Sequence, residues 1–163
     1  GLLRVPPHPS PTPRMTQQPR DPNYAERVRA SFARQRLMTT IGAQVVEVAP
    51  GRVVLRLPFR EDLTQQHGFL HAGTIAALAD SACGYAALTL MPADAAVLSV
   101  EFKVNMLAPA KGDAIVARAD VVRAGKTIMV CRADVVAVSG AEEKLVAAMQ
   151  GTMMVVSDRG LTD

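Results

Sequence analysis

The densest group of chemically capable side chains is Thr64-Gln65-Gln66-His67-Gly68-Phe69-Leu70-His71-Ala72-Gly73. It holds two of the three histidines and leads into a long Ala-rich stretch. A helix starting there would offer free backbone N–H groups and a partial positive charge. Ala72 and Gly73 have almost no side chain to hinder an approaching oxyanion. Such a loop suits the stabilisation of negative charge on a carbonyl oxygen. The bland alternative is a polar loop with ordinary helix capping.

Asp80 is the second candidate, in Ile75-Ala76-Ala77-Leu78-Ala79-Asp80-Ser81-Ala82-Cys83. A carboxylate on an apolar helix is costly to bury without a partner. Such groups more often serve a site than sit idle. The alternatives are that Asp80 faces solvent, or is satisfied by Ser81 or an Arg. His67 and His71 form a His-x-x-x-His pair, but Gly68 stands where a zinc protease has Glu, so no metal is expected. Cys83, one turn past Asp80, reads as a small buried hydrophobe rather than a nucleophile. Met153-Met154 and the other methionines read as core filler.

These groups need a scaffold, and hydrophobic periodicity outlines one. Asn23 with Glu26 reads as a capping box for a short helix over 24–35. Strands follow at 44–48 and 52–58, joined at Pro50-Gly51. Residues 73–90 form the one long helix, apolar nearly all round and therefore expected to be buried. Gly84 inside it costs ~1 kcal/mol against Ala, which suggests that room is needed there. Strands are expected at 97–107, 114–122, 127–138 and 144–156, with turns at Lys111-Gly112-Asp113, Arg123-Ala124-Gly125-Lys126 and Ser139-Gly140. Antiparallel hairpins with one central helix make an α+β domain with the helix on one sheet face. One helix cannot cover a curved sheet and both its edges, so association through a sheet edge or face is expected.

The 163 residues suit one domain. Two cysteines cannot build a disulfide scaffold and fit a reducing, cytoplasmic setting. Residues 1–36 carry seven Arg against two acids, a net +5, whereas residues 37–163 carry a net −2. The positive charge thus belongs to the front segment, and with no Trp and 4% aromatics the body has no nucleic-acid footprint. No strongly apolar run reaches ~18 residues, so no membrane span is expected. Seven of eleven prolines lie in residues 1–22, which read as a disordered Pro/Arg-rich tail without the apolar core of a secretory signal. Met15 is a candidate natural start, with 1–14 an upstream extension. The single domain is expected over 23–158.

The loop 65–73, followed by Asp80 in Leu-Ala-Asp-Ser-Ala, resembles the hotdog-fold acyl-CoA thioesterases, nearest the phenylacetic-acid-degradation (PaaI-like) branch. Phe102-Lys103-Val104-Asn105-Met106-Leu107-Ala108-Pro109-Ala110-Lys111-Gly112-Asp113 and Val122-Arg123-Ala124-Gly125-Lys126-Thr127 match as well, so the resemblance covers about 32–156. It implies a hotdog fold: five to six antiparallel strands wrapped around a long central helix, with a short N-terminal helix. It also implies hydrolysis of acyl-CoA to free acid and CoA without a cofactor. Many members read Asn-x-x-Gly-x-x-His-Gly-Gly in this loop. By position, Gln65 takes the Asn place, His71 the His, and Ala72 and Gly73 the glycine pair. The resemblance implies an oxyanion-hole amide at Ala72, a catalytic acid at Asp80 acting as base or nucleophile, and an assisting Ser at Ser99. Arg123 and Lys126 would meet CoA phosphates.

Ala72 and Asp80 are eight residues apart, ~12 Å along a helix. One thioester carbon cannot sit ~3 Å from both, so a shared reaction needs two copies of the chain. The family likeness implies such a homodimer with composite sites, often a dimer of dimers. Two other classes remain open: a hotdog dehydratase or hydratase, and a non-catalytic acyl-CoA-binding module. The loop lacks the His-Phe-Pro pattern of the dehydratases. The front segment is too short and Pro-rich for the DNA-binding domain of a sensor.

Overall fold

The computed structural model describes residues 17–163. The expected tail falls mostly on residues 1–16, outside the described residues. Residues 17–22 form no helix or strand, and Asp21 is buried against Arg27.

Two short helices come first, α1 (Tyr24–Arg34) and α2 (Arg36–Ile41). The capping box does not form: Asn23 makes no side-chain cap, and its own N–H donates to Asp21 Oδ1 at 2.9 Å. An extended Gln35 breaks the helical run, so Leu37 falls in a second helix, which begins at Arg36, instead of extending the first. Gly42 ends α2 in the left-handed conformation (φ 81°), which glycine adopts without a Cβ penalty.

Next come β1 (Gln44–Ala49), β2 (Arg52–Pro58), α3 (Ala72–Leu88), β3 (Ala96–Met106), β4 (Ala114–Ala124), β5 (Ile128–Ser139) and β6 (Glu142–Val156). The strands form one antiparallel sheet in the order β1-β2-β4-β5-β6-β3. Strand β3 follows α3 in sequence yet takes the far edge beside β6, so the sheet curls around the helix. This is the expected hotdog architecture.

Small residues set the helix–sheet distance. Ala117 and Ala119 of β4 and Ala133 of β5 are fully buried, as are Ala79, Ala82 and Ala86 of α3. Short side chains on both surfaces allow close approach and dense packing. Along β4, Arg118 and Asp120 alternate to the outer face, as the period of two requires.

Arg27 locks the far end of α3. Its guanidinium donates to the carbonyls of Pro92 (2.6 Å), Leu88 (2.9 Å) and Met91 (3.0 Å), at and just beyond the helix end. Asp21 lies 3.5 Å from Nε. Burial draws the Arg27 pKa down, while Asp21, Asp163 and Asp94 oppose that shift.

Helix α3 is not buried all round. Its second half, 82–88, is enclosed, while Thr74, Ala76, Ala77, Asp80 and Ser81 are only half-buried and Ala72 and Gly73 are exposed. Met153 fills the core, but Met154 and Met106 are 36% and 41% exposed, contrary to the core-filler expectation. Edge strand β3 carries exposed Leu98, Val100 and Phe102 beside an unpaired backbone edge. Among the described residues, no helix is long and apolar enough to cross a membrane.

Candidate functional site

The loop before α3 is held by its own backbone. Thr64 and Leu70 pair as an isolated bridge, Gln65 N–H donates to Phe69 O, and Gly68 N–H to Gln65 O. Gly68 has φ 80°, and a Cβ there would meet nothing, so backbone conformation alone favours glycine. The Gln65 side-chain oxygen accepts the His67 N–H, inside its own loop. The His67 ring lies against the Gln66 amide, and His67 is exposed.

His71 caps α3. Its Nδ1 accepts the Gly73 N–H at 2.8 Å, which puts the neutral ring's proton on Nε2. A Cβ at Gly73 would lie 3.0 Å from His71 Nδ1, so a larger residue there would push the ring by a few tenths of an ångström. The amides of Thr74 and Ile75 are taken by His71 O. The Ala72 N–H has no acceptor among the described residues. One free donor, exposed at a helix start, is what an oxyanion needs.

Asp80 lies two turns further along α3. It is half-buried rather than deep in the core, and its Oδ1 accepts the Ser99 hydroxyl at 2.7 Å. The partner is thus Ser99 of β3, not Ser81 or an Arg. Ser99 Oγ also approaches Met153 Sδ at 3.4 Å. Oδ2 remains available to take a proton or attack.

Two cavities meet at Asp80. An open groove of about 460 Å³ runs from Gly73 along Ala76 and Ala77 to Asp80, walled by Leu37 and Phe102. A smaller pocket of about 110 Å³ continues past Asp80, with Gly84, Tyr85, Val97, Ser99 and Asp163 on its walls. Gln35 and Ser81 border both. A Cβ at Gly84 would meet nothing within 4 Å, so the space beside it is open.

Gln35 went unnoticed in the sequence, where no local signal marks it. Its position comes from α1 docking on α3. Phe32 packs edge-on against Tyr85 (centroids 5.7 Å apart), and the Ser31 and Tyr85 hydroxyls approach at 3.4 Å. Ser31 also bonds Asp163, whose other oxygen accepts the Val97 N–H. The helix end is thereby fixed, and Gln35 Oε1 accepts the Ser81 hydroxyl at 3.1 Å.

Ala72 and Asp80 stay apart. Helix α3 is unbroken between them, which leaves ~12 Å. Arg123 and Lys126, at the end of β4 and the following turn, are exposed, and neither lines either of these two cavities. The register Ser99–Met153–Met129–Ala124 puts their hairpin on the same sheet row as Ser99. Three strand spacings, ~14 Å, separate them. Cys83 and Cys131 are fully buried, and burial pushes Cys131 up to about 12 and Cys83 well above its ordinary value. Both are inert fillers.

Residues 67–144 match the thioesterase superfamily. A putative esterase of Halobacterium salinarum is 35% identical over 130 residues, spanning 75% of this chain and 85% of that one. The 1,4-dihydroxy-2-naphthoyl-CoA hydrolase of Listeria monocytogenes is 29% identical over 123 residues, 76% of this chain and 98% of that one. The crystal structure of a thioesterase family protein from Silicibacter pomeroyi superimposes with a TM-score of 0.81 at 51% identity, covering 82% of this chain and 98% of that chain. With its helix-wrapping sheet and the groove from Gly73 to Asp80, the chain belongs to the thioesterase superfamily of hotdog-fold thioester hydrolases.

Proposed function

We propose that this protein hydrolyses acyl-CoA thioesters to a free acid and CoA, with Asp80 as the general base. The observation that carries the reading is the Asp80–Ser99 pair, which opens onto a groove large enough for an acyl group. The Ser99 hydroxyl holds one carboxylate oxygen and leaves the other to accept a proton from water. Water oxygen attacks the thioester carbon as its proton passes to Asp80. The tetrahedral oxyanion then collapses, the C–S bond breaks, and the CoA sulfur leaves with the proton returned by Asp80.

The oxyanion is received by the Ala72 N–H. Because ~12 Å separates that amide from Asp80 of the same helix, the amide comes from a second protomer. The exposed apolar side chains and free edge of β3 fit a partner strand there. Each dimer then holds two composite sites, and a dimer of dimers is the expected larger assembly. His71 and Gly73 position the amide. Gln65 shapes the loop beside it, and Arg123 and Lys126 meet the phosphates of CoA. The 23–158 segment is the catalytic unit.

The test is CoA release from a panel of acyl-CoAs by wild type and Asp80→Asn. The variant is expected to lose ~10²–10⁴-fold in kcat. Equal rates would remove Asp80 from the mechanism.

A further inference from the structure

The two cavities differ in chemistry, and their junction is built from Gln35, Asp80 and Ser81. Leu37, Ala76, Ala77 and Phe102 make one side apolar. Beyond the junction Ser99, Tyr85 and Asp163 make the pocket polar. Most of those polar groups are already occupied: Ser99 by Asp80, and the Asp163 carboxylate by Ser31 and Val97 N–H.

The exception is the Gln35–Ser81 pair. The Ser81 hydroxyl donates to Gln35 Oε1, which leaves the Gln35 amide N–H₂ and the Ser81 oxygen lone pairs without partners among the described residues. Turning the amide over exchanges the roles but again leaves one donor and one acceptor. A hydroxyl group satisfies both at once. Its oxygen accepts from one member and its hydrogen donates to the other. A methyl group of similar size satisfies neither and strips water from both, and that loss is the basis of strong discrimination. Gly84 is one turn beyond Asp80 and leaves the pocket open to the substituent.

We propose that Gln35 and Ser81 form a specificity-determining pair that selects acyl groups carrying a hydroxyl over acyl groups with a methyl in its place. The proposal rests on the thioesterase reading and names the substrate feature that the same site reads. Neither residue touches the reacting carbon; the pair acts on a substituent further along the acyl group.

The experiment compares kcat/KM for matched substrates: benzoyl-CoAs with hydroxyl or methyl at ring position 3 or 4, and 3-hydroxybutanoyl-CoA against 3-methylbutanoyl-CoA. Wild type is expected to favour the hydroxylated member of at least one pair by ~10–100-fold, the worth of two neutral hydrogen bonds. Gln35→Leu and Ser81→Ala should bring that ratio near one, mainly by lowering the rate on the hydroxylated substrate. Ser81→Thr, which keeps the hydroxyl, should retain the preference. Far-ultraviolet circular dichroism and thermal melts establish folding, and Ser81→Ala, a favourable helix substitution, keeps the test available if Gln35→Leu unfolds. A wild type that treats every pair alike overturns the proposal. So does an equal loss on both members, which would mean that the pair holds the attacking water instead. If no thioester is hydrolysed, the thioesterase reading fails. Calorimetric binding of the matching CoA thioethers then decides the pair's role by itself, with equal affinities overturning it.

Discussion

Replacing Ala72 by proline would isolate one hydrogen atom. Ala72 is the first residue of α3, where the proline φ is already helical and the lost N–H carries no helix bond. The residue before a proline must be extended, and His71 already is, with φ −63° and ψ 139°. Ala72 is exposed, so the ring has room. The Gly73–His71 cap and the His71 carbonyl bonds do not involve the deleted atom. Stability should therefore change by less than ~0.5 kcal/mol, as for ordinary surface substitutions. If the amide holds the oxyanion, kcat should fall ~10²–10³-fold, the typical loss for one such donor. Ala72→Gly keeps the N–H and should stay within about threefold of wild type, by the same reasoning. The assay is release of free CoA thiol with saturating acyl-CoA, with thermal melts on each variant. A folded proline variant that turns over within about threefold of wild type would refute the oxyanion assignment.

The same variant tests the shared site. Mixed with Asp80→Asn and allowed to exchange subunits, it forms heterodimers with one doubly damaged and one intact site. Random pairing restores about a quarter of wild-type sites. Demonstrated exchange without returned activity would place both groups' action within one chain, against the ~12 Å helix separation.

Ser99→Ala should lower kcat by about tenfold, since Asp80 loses a 2.7 Å hydrogen bond but keeps its carboxylate; an unchanged rate would make that bond incidental. Gly84→Ala should raise stability by ~0.5–1 kcal/mol, because its Cβ meets nothing in the chain, while kcat/KM falls on acyl groups that fill the small pocket. Denaturant titration and the acyl-CoA panel check the two halves. Arg123→Ala with Lys126→Ala should raise KM with kcat nearly unchanged, and the effect should shrink at high salt. A salt-independent KM would count against a phosphate contact. Arg27→Met should cost ~3–5 kcal/mol in urea denaturation, because Asp21 and three carbonyls lose their cation. Burial raises both thiol pKa values, so each thiol stays protonated at pH 8. Iodoacetamide should label neither Cys83 nor Cys131 until the protein is unfolded, as mass spectrometry would show.

Local pattern determined much of this molecule. Period-two alternation marked the strands, and the Ala-rich run marked α3 to within two residues at either end. Those signals are local because each element buries one repeating face, and burial writes its period into the chain. The loop from Gln65 to Gly73 and the acid at Asp80 were equally legible as candidates, since polar groups at the start and in the middle of an apolar helix stand out by residue type alone.

Tertiary structure decided what each group meets. Asp80 has Ser81 beside it in sequence, yet its hydrogen bond goes to Ser99, nineteen residues on, because β3 returns along the helix. Asn23 and Glu26 have the spacing of a cap, but the nearby Asp21 carboxylate, itself held by Arg27, takes the Asn23 amide. Met154 reads as core by type, and its strand phase turns it to the outer face while Met153 points in. Gln35 carries no signal at all. It reaches the site because Phe32 and Ser31 dock on Tyr85, fifty-odd residues away, and bring the end of α1 over Ser81. Residue type and period specify elements and candidate chemistry. Which side chains share a cavity depends on packing between elements far apart in the chain, and no local sequence window contains that information.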